Sequence, residues 1–170
     1  MPLPFPQIIL PDVTQISPEL LRQHGIRGLL LDIDGTLMQT RDAMPARPVL
    51  DWLQRMKAEG FVLYILSNNK HEGRVRAFAQ SVGIPWQHLA RKPRQAGFAR
   101  AFRETGLAPA QLALVGDQIF TDRLAAGLYG ISCLYTMPRG GDHQRGVQFK
   151  RRFEPYWLDR YYQKGGRLYE

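Results

Sequence analysis

Short apolar runs alternate along the chain with segments in which apolar residues recur at helical spacing. The runs, several of them bounded by glycine, predict buried strands at 28–33, 61–66, 86–89, 112–115 and 131–135. The helical segments are predicted at 18–24, 48–59, 71–82, 93–105 and 121–129, the first with Ser17 as its N-cap. This alternation is typical of an α/β fold, a three-layer doubly wound parallel sheet with the predicted strand order 3-2-1-4-5.

Polar residues interrupt the apolar pattern at the carboxyl ends of three predicted strands. Asp32 and Asp34 end the first strand, Ser67 and Asn68 follow the second, and Asp117 follows the fourth. In the predicted strand order these three ends converge on one crevice, where ligands bind in folds of this type. Two aspartates followed by glycine suggest a hard cation such as Mg2+ and an oxyanion substrate. Taken alone, the segment fits equally well a strand that ends in a turn with both aspartates solvated.

Each of the other candidates has a structural explanation beside the functional one. Ser67, Asn68 and Asn69 can hydrogen-bond phosphate oxygens, or they can cap a helix. Lys92, which precedes Pro93, can direct its ammonium at phosphate, or it can be one exposed lysine of a basic chain. Asp117 is placed to share a metal with Asp32, whereas Asp122 can contact that metal or cap the helix in which it lies.

The composition of the chain indicates which kinds of partner and site to expect. The chain has 170 residues, and 23 Lys+Arg against 15 Asp+Glu give a formal net charge of +8, which predicts anionic partners. The single cysteine, Cys133, excludes an internal disulfide, and the absence of CxxC argues against a zinc site. No apolar stretch reaches the roughly 18 residues of a membrane span, and no secretory signal is evident. We therefore expect a soluble, cytoplasmic protein.

Four short motifs occur in an order that resembles the haloacid dehalogenase-like (HAD) hydrolase superfamily. They are DIDGTL from Asp32 to Leu37, Ser67 after the second strand, Lys92 before a helix, and GDQIFTD from Gly116 to Asp122. The resemblance implies that Asp32 is the nucleophile that accepts the phosphoryl group and that Asp34 is the general acid and then the general base.

The same resemblance implies how the substrate and a metal are bound. Ser67 and Lys92 would hold the phosphoryl oxygens, with Asn68 assisting. Mg2+ would be bound by the Asp32 carboxylate, the Asp34 backbone carbonyl and Asp117, with Asp122 supporting it through water. An aspartate at position 34 favours phosphatases and phosphotransferases over dehalogenases in this superfamily.

Within the superfamily the chain looks capless, because residues 37–48 form only a loop and little separates Ser67 from Lys92. An open site suits a large substrate, a membrane-bound one, or an oligomer whose neighbouring subunit covers the site. The segments GIRGLLLDIDGTL, YILSNN, RKP and VGDQIFTD are similar to the YqeG-like branch of subclass IIIA, which includes phosphatases of phosphatidylglycerophosphate. Many members of that branch have Asn where this chain has Gly35.

This resemblance implies an Mg2+-dependent phosphomonoester phosphatase with an aspartyl-phosphate intermediate and, as its favoured substrate, a phosphatidylglycerophosphate-type lipid. A phosphatase of a soluble phosphosugar or nucleotide is the alternative within the enzyme class. A non-catalytic phosphate- or lipid-binding module is the alternative outside it, although the intact acidic and basic motif residues argue against that interpretation.

The chain is predicted to divide into a phosphatase core at 1–138 and a basic, aromatic tail at 139–170. From Pro138 to Glu170 there are eight Lys+Arg and four Asp+Glu, so a net +4 of the total +8 lies in this part. The run from Lys150 to Arg152, followed by Tyr156 and Trp157, could lie on an anionic membrane surface. The aromatic residues could equally pack on the sheet as a terminal helix, and both arrangements can hold together. No nucleic-acid-binding module is recognisable.

Overall fold

The fold is a six-stranded, all-parallel sheet with helices on both faces. It is seen in a computed structural model of the chain, which describes residues 8–140 and 152–164. The strands are β1 (Ile8–Leu10), β2 (Gly28–Leu31), β3 (Val62–Leu66), β4 (Trp86–Gln87), β5 (Leu112–Gly116) and β6 (Ser132–Thr136). The helices are α1 (Pro18–Gln23), α2 (Arg47–Ala58), α3 (Glu72–Val82), α4 (Gln95–Thr105), α5 (Leu124–Tyr129) and α6 (Glu154–Gln163). Short 3-10 turns lie at Val13–Gln15 and Pro109–Gln111, and a π-helical turn lies at Ile119–Arg123.

The order of the strands confirms the predicted topology and adds one strand to it. The sheet runs β1-β6-β5-β2-β3-β4, so the five predicted strands appear in the predicted order, 3-2-1-4-5. The additional strand, β1, pairs with β6 at the edge, with Ile8 opposite Leu134. The central neighbours β2 and β5 are in register from Gly28 and Leu112 to Leu31 and Val115. Their carboxyl ends therefore open at the point where the strand order reverses, which is where this type of sheet binds ligands.

Both faces of the sheet are covered, which explains why its strands are almost continuously apolar. Leu29 and Leu31 point to one face, where the core includes Trp52 and Phe78. Leu30 points to the other face, where the core includes Phe98. Because both faces are filled, the open carboxyl edge is where polar side chains of β2, β3 and β5 can gather.

The end of the described chain returns to the β1–β6 edge. Tyr161 of α6 packs with Ile9, Ile119 and Tyr135, so this part of the tail forms a terminal helix against the sheet. Tyr156 stays exposed on the same helix. Residues 150 and 151 of the predicted basic run lie outside the described residues, and the division of the chain near residue 138 stays a prediction. Among the described helices, none has the length and apolar character that crossing a membrane requires.

Candidate active site

Three buried aspartates gather at the carboxyl edge of β2 and β5. Asp32 directly follows β2, and its backbone N–H donates to the carbonyl of Val115 at 3.0 Å, which fixes it beside β5. Asp117 directly follows β5, and Asp122 lies in the π-helical turn one step further along. One carboxylate oxygen from each of the three lies within 4.8 Å of the others. The structure thus brings Asp32 and Asp117 together, as the predicted strand order requires, and places Asp122 beside them, whereas their binding of a metal stays a prediction.

Two glycines leave the space that the carboxylates fill. A Cβ at Gly116 would lie 2.3 Å from Cγ of Asp122, and a Cβ at Gly35 would lie 2.2 Å from Oδ2 of Asp117. Gly35 also has φ +85°, a left-handed conformation that glycine adopts without steric cost and asparagine tolerates better than most residues. Thr36 closes the same loop, and its hydroxyl donates to Asp117 Oδ1 at 3.3 Å. The DGT segment thus shapes the pocket as well as supplying aspartates.

Lys92 places one ammonium inside this acidic cluster. Its Nζ lies 2.7 Å from Asp32 Oδ1 and 2.7 Å from Asp122 Oδ1, and its side chain is 1% exposed. Burial works to lower the pKa of Lys92, but the carboxylates of Asp122 and Asp32 outweigh it and raise that pKa above its usual range. Lys92 is therefore a fixed positive charge in this site.

At Asp32, unlike at Lys92, the effect of burial prevails, and burial disfavours the charged form of the carboxyl. Burial is the largest influence on the pKa of Asp32. Together with the charges of Asp122 and Asp117, and against the opposing effect of Lys92, it raises this pKa to about 8. Among the described residues, three carboxylates and one ammonium leave an excess of negative charge at a largely buried position. A bound cation is the ordinary remedy for such an excess.

The loop before α4 fixes where Lys92 sits. Asn68 accepts from the Lys92 backbone N–H at 2.7 Å and donates to the Lys92 carbonyl at 3.2 Å. Leu89 and Arg91 adopt left-handed backbone conformations, with φ +46° and +54°, which residues other than glycine rarely take. The predicted contact of Asn68 with substrate stays a prediction, whereas its contact with Lys92 gives it a positioning role.

Asp34 lies at the mouth of the cluster, where two side chains hold its carboxylate. Asn69 donates to Oδ2 at 2.7 Å, and Arg74 of α3 lies 3.0 Å from Oδ1. Arg74 also donates to the carbonyls of Gln39 and Asp42 and so ties α3 to the loop after β2. The contact of Asn69 with Asp34 was not predicted, because the segment Ser67-Asn68-Asn69 was interpreted only as a phosphate ligand or a helix cap. Arg74 was missed because it stands in no motif and lies 40 residues from Asp34.

Ser67 completes the predicted set at the end of β3. The residue is buried, and its hydroxyl oxygen accepts from the Asn69 backbone N–H at 3.1 Å, which leaves the hydroxyl proton available to donate. Ser67 and Lys92 therefore both lie on the loops that surround Asp32. Their contact with phosphoryl oxygens remains a prediction.

The chemistry of the donor set fits a hard divalent cation. Every donor in the cluster is a carboxylate oxygen, as Mg2+ prefers, and the cluster is buried and carries excess negative charge. Asp32, Asp117 and Asp122 are the side chains that would hold such an ion. The Asp34 side chain lies outside the cluster, and the resemblance assigns only its backbone carbonyl to the metal.

Comparison with protein families and curated proteins identifies relatives along nearly the whole chain. Residues 2–139 match the family model described as "Mitochondrial PGP phosphatase". The chain is 30% identical over 161 residues to "Probable phosphatase YqeG" of Bacillus subtilis (strain 168), covering 95% of this chain and 93% of that protein. It is 28% identical over 169 residues to "Phosphatidylglycerophosphate phosphatase 1, chloroplastic" of Chlamydomonas reinhardtii, covering 94% of this chain but only 62% of that longer protein.

Solved structures share the fold at low sequence identity. A HAD family hydrolase from Streptomyces avermitilis MA-4680 superposes with a TM-score of 0.55 at 22% identity, over 72% of this chain and 78% of that one. A HAD family enzyme from Bacteroides thetaiotaomicron, crystallised with magnesium and inorganic phosphate, gives a TM-score of 0.54 at 17% identity, over 71% of this chain and 98% of that one. These likenesses confirm the predicted fold class.

Proposed function

The chain belongs to the mitochondrial PGP phosphatase family of HAD-type phosphatases, and on this premise we propose how it works and on what. It hydrolyses a phosphomonoester with the help of Mg2+, through an aspartyl-phosphate on Asp32, and its favoured substrate is a phosphatidylglycerophosphate-type lipid. The observation that carries the proposal is the buried Asp32–Lys92 pair inside a cluster of three carboxylates.

In the first step an Asp32 carboxylate oxygen attacks phosphorus. A bond forms between that oxygen and phosphorus, and the bond from phosphorus to the substrate alcohol breaks. Asp34 gives its proton to the departing alcohol oxygen. Lys92 and the hydroxyl of Ser67 hydrogen-bond the phosphoryl oxygens on which charge accumulates.

In the second step Asp34, now ionised, takes a proton from water. The water oxygen bonds to phosphorus, the bond to Asp32 breaks, and inorganic phosphate leaves. Asn69 and Arg74 support the role as base in this step, because they hydrogen-bond both oxygens of the ionised Asp34 carboxylate and hold it in one place. Mg2+, when bound by Asp32, Asp117 and Asp122, supplies electrostatic stabilisation for the transferring phosphoryl group.

Three observations support a lipid as the substrate. The relative from Chlamydomonas reinhardtii carries the name phosphatidylglycerophosphate phosphatase. The loop after β2 holds no inserted cap domain, so the edge at which Asp34 lies is open to a bulky molecule. Met44 and Leu89, on the loops after β2 and β4 at that same edge, are exposed apolar side chains that an acyl chain or a lipid headgroup region can contact.

Phosphate release tests the proposal directly. Para-nitrophenyl phosphate, a phosphosugar and phosphatidylglycerophosphate in mixed micelles would each be assayed with Mg2+ and with EDTA. We expect release that EDTA abolishes, that Asp32→Asn reduces at least 100-fold, and that is at least tenfold more efficient for the lipid. Asp51→Asn, which changes an exposed carboxylate on α2, should leave release unchanged.

The other outcomes separate the alternatives. Equal or better turnover of the phosphosugar would overturn the lipid assignment and keep the enzyme class. Turnover that survives in Asp32→Asn would overturn the nucleophile. A folded, Mg2+-supplied protein that releases phosphate from none of the three would favour a phosphate-binding module.

A further inference from the structure

A buried glutamate from the end of the described chain reaches the turn that carries Asp122. Glu154, the first residue of α6, is 4% exposed, and its Oε1 accepts from the backbone N–H of Ile119 at 2.9 Å. It lies beyond residues 2–139, which match the family model. Burying a carboxylate is costly unless hydrogen bonds compensate for the lost water. The burial of Glu154 at this position therefore calls for an explanation.

The N–H that Glu154 binds is one that the turn itself cannot satisfy. Ile119 is the first residue of the π-helical turn Ile119–Arg123, and the first amides of a helical turn have no partner within it. The preceding residue, Gln118, makes no side-chain cap. The backbone N–H of Gln118 donates to Asp122 Oδ2 at 3.3 Å. Glu154 therefore supplies the missing cap from a distant part of the chain.

This cap lies on the backbone segment that joins two members of the carboxylate cluster, Asp117 and Asp122. Ile119 lies two residues after Asp117 and three before Asp122. The side chain of Ile119 is buried with Tyr161 of α6, so α6 holds the residue through both its backbone and its side chain. A shift of Ile119 would change the separation of Asp117 from Asp122.

We propose that Glu154 is a positioning residue for the divalent-cation site, through which the tail helix α6 fixes the spacing of Asp117 and Asp122. The inference rests on the proposed function, because it concerns the site that would bind Mg2+. Groups that hydrogen-bond the ligands themselves commonly change metal affinity by 10- to 100-fold when they are lost. Glu154 acts one step further away, through the backbone of Ile119, so we expect the lower end of that range.

Mg2+ affinity, measured by calorimetric titration and by the Mg2+-dependent rise in Tm, tests this role. We expect Glu154→Ala to weaken the apparent affinity for Mg2+ about tenfold. Glu154→Gln should stay within about twofold of wild type, because the amide oxygen still accepts from Ile119. Asp159→Ala, which removes an exposed carboxylate from the same helix, is the matched control and should have no effect.

Rescue by excess metal distinguishes positioning from a general loss of structure. The phosphatase activity of Glu154→Ala should fall at limiting Mg2+ and return when Mg2+ is raised, which a merely loosened fold would not show. If Glu154→Ala does not fold, Glu154→Asp replaces it, since the shorter side chain keeps the charge but loses reach. The same weakening is then expected.

Two results would overturn the inference. One is wild-type Mg2+ affinity in Glu154→Ala or, if that variant does not fold, in Glu154→Asp. The other is a loss in Glu154→Gln as large as in Glu154→Ala, which would assign the effect to charge and not to the cap. Failure of the wild-type protein itself to bind Mg2+ would instead contradict the proposed function.

Discussion

At the scale of single residues, the site is organised for chemistry at the expense of stability. Asp32, Asp117 and Asp122 share a buried space with one ammonium, that of Lys92. Like charges held together without water destabilise the fold unless something neutralises them. Functional sites commonly carry such a cost, and substitutions that relieve it stabilise the protein while abolishing its activity.

The pH dependence of stability should reveal this cost at Asp32. Burial, reinforced by Asp122 and Asp117 and opposed by Lys92, raises the pKa of Asp32 from 3.8 to about 8. Between these values the folded state keeps a proton that the unfolded chain has released, so the stabilising contribution present at pH 4 is lost as the pH rises through about 8. In EDTA, the free energy of unfolding of wild type should fall across this range relative to Asp32→Asn, by on the order of a few kcal/mol.

Urea unfolding at a series of pH values, always in EDTA, measures this difference. Asp51→Asn, which changes an exposed carboxylate of α2, controls for the loss of a carboxylate elsewhere and should not reproduce the effect. Parallel pH curves for wild type and Asp32→Asn would contradict the assignment.

The sequence predicts the residues of the cluster better than the contacts that hold them. Asp32, Lys92 and Asp117 stand in short motifs at the ends of elements, so the predicted topology is enough to bring them together. The clamp of Arg74 on Asp34 and the cap of Glu154 on Ile119 join residues 40 and 35 positions apart. Such pairs depend on how two elements pack, which no local pattern encodes.

At the scale of elements, strong periodic segments were predicted well and weak ones were not. The predicted helix at 48–59 is observed as Arg47–Ala58, and Ser17 caps α1 as expected, its hydroxyl accepting from the Leu20 N–H at 3.1 Å. β1 was missed, because three apolar residues make too short a run to mark a strand. The π-helical turn was missed as well, and the predicted helix at 121–129 instead begins after it as α5.

The packing of α6 can be tested with two adjacent tyrosines. Tyr161 is 9% exposed and packs with Ile9, Ile119 and Tyr135, whereas Tyr162 is 39% exposed. Tyr161→Ala should lower the free energy of unfolding by about 2–4 kcal/mol, because it opens a cavity beside β1 and β6. Tyr162→Ala is the matched control and should cost less than about 1 kcal/mol.

Chemical denaturation of both variants provides the measurement. Equal, small losses in the two would contradict the docking of α6 on the sheet edge. They would also weaken the case for Glu154, since Glu154 begins the same helix.

At the scale of the whole molecule, a net charge of +8 and exposed aromatic residues suit an anionic surface. Two aromatic side chains are exposed here, Phe153 directly before α6 and Tyr156 on it. Cζ of Arg160 lies 5.6 Å from the centroid of the Tyr156 ring. Aromatic rings with basic neighbours favour the interface of an anionic membrane, where each well-placed basic residue contributes about 1 kcal/mol. We therefore propose peripheral contact between this face and an anionic membrane, which would also hold the proposed lipid substrate.

Sedimentation with vesicles tests this contact. Binding to phosphatidylglycerol vesicles should fall steeply as salt is raised and be absent with phosphatidylcholine alone. Phe153→Ser combined with Tyr156→Ser should weaken binding without changing turnover of para-nitrophenyl phosphate, whereas Val62→Ser, at an exposed apolar residue of β3, should not weaken it. Binding that ignores salt, or no binding at all, would contradict the proposal.

The central claim, that Asp32 carries the phosphoryl group during turnover, is tested most directly by mass spectrometry of the acid-quenched protein. Wild type mixed with Mg2+ and phosphatidylglycerophosphate should gain the mass of one phosphoryl group, and fragmentation should locate that group on Asp32. Asp32→Asn should gain nothing under the same conditions. A phosphoryl group found on another residue, or rapid turnover in which quenching at every time point leaves Asp32 unmodified, would contradict the account.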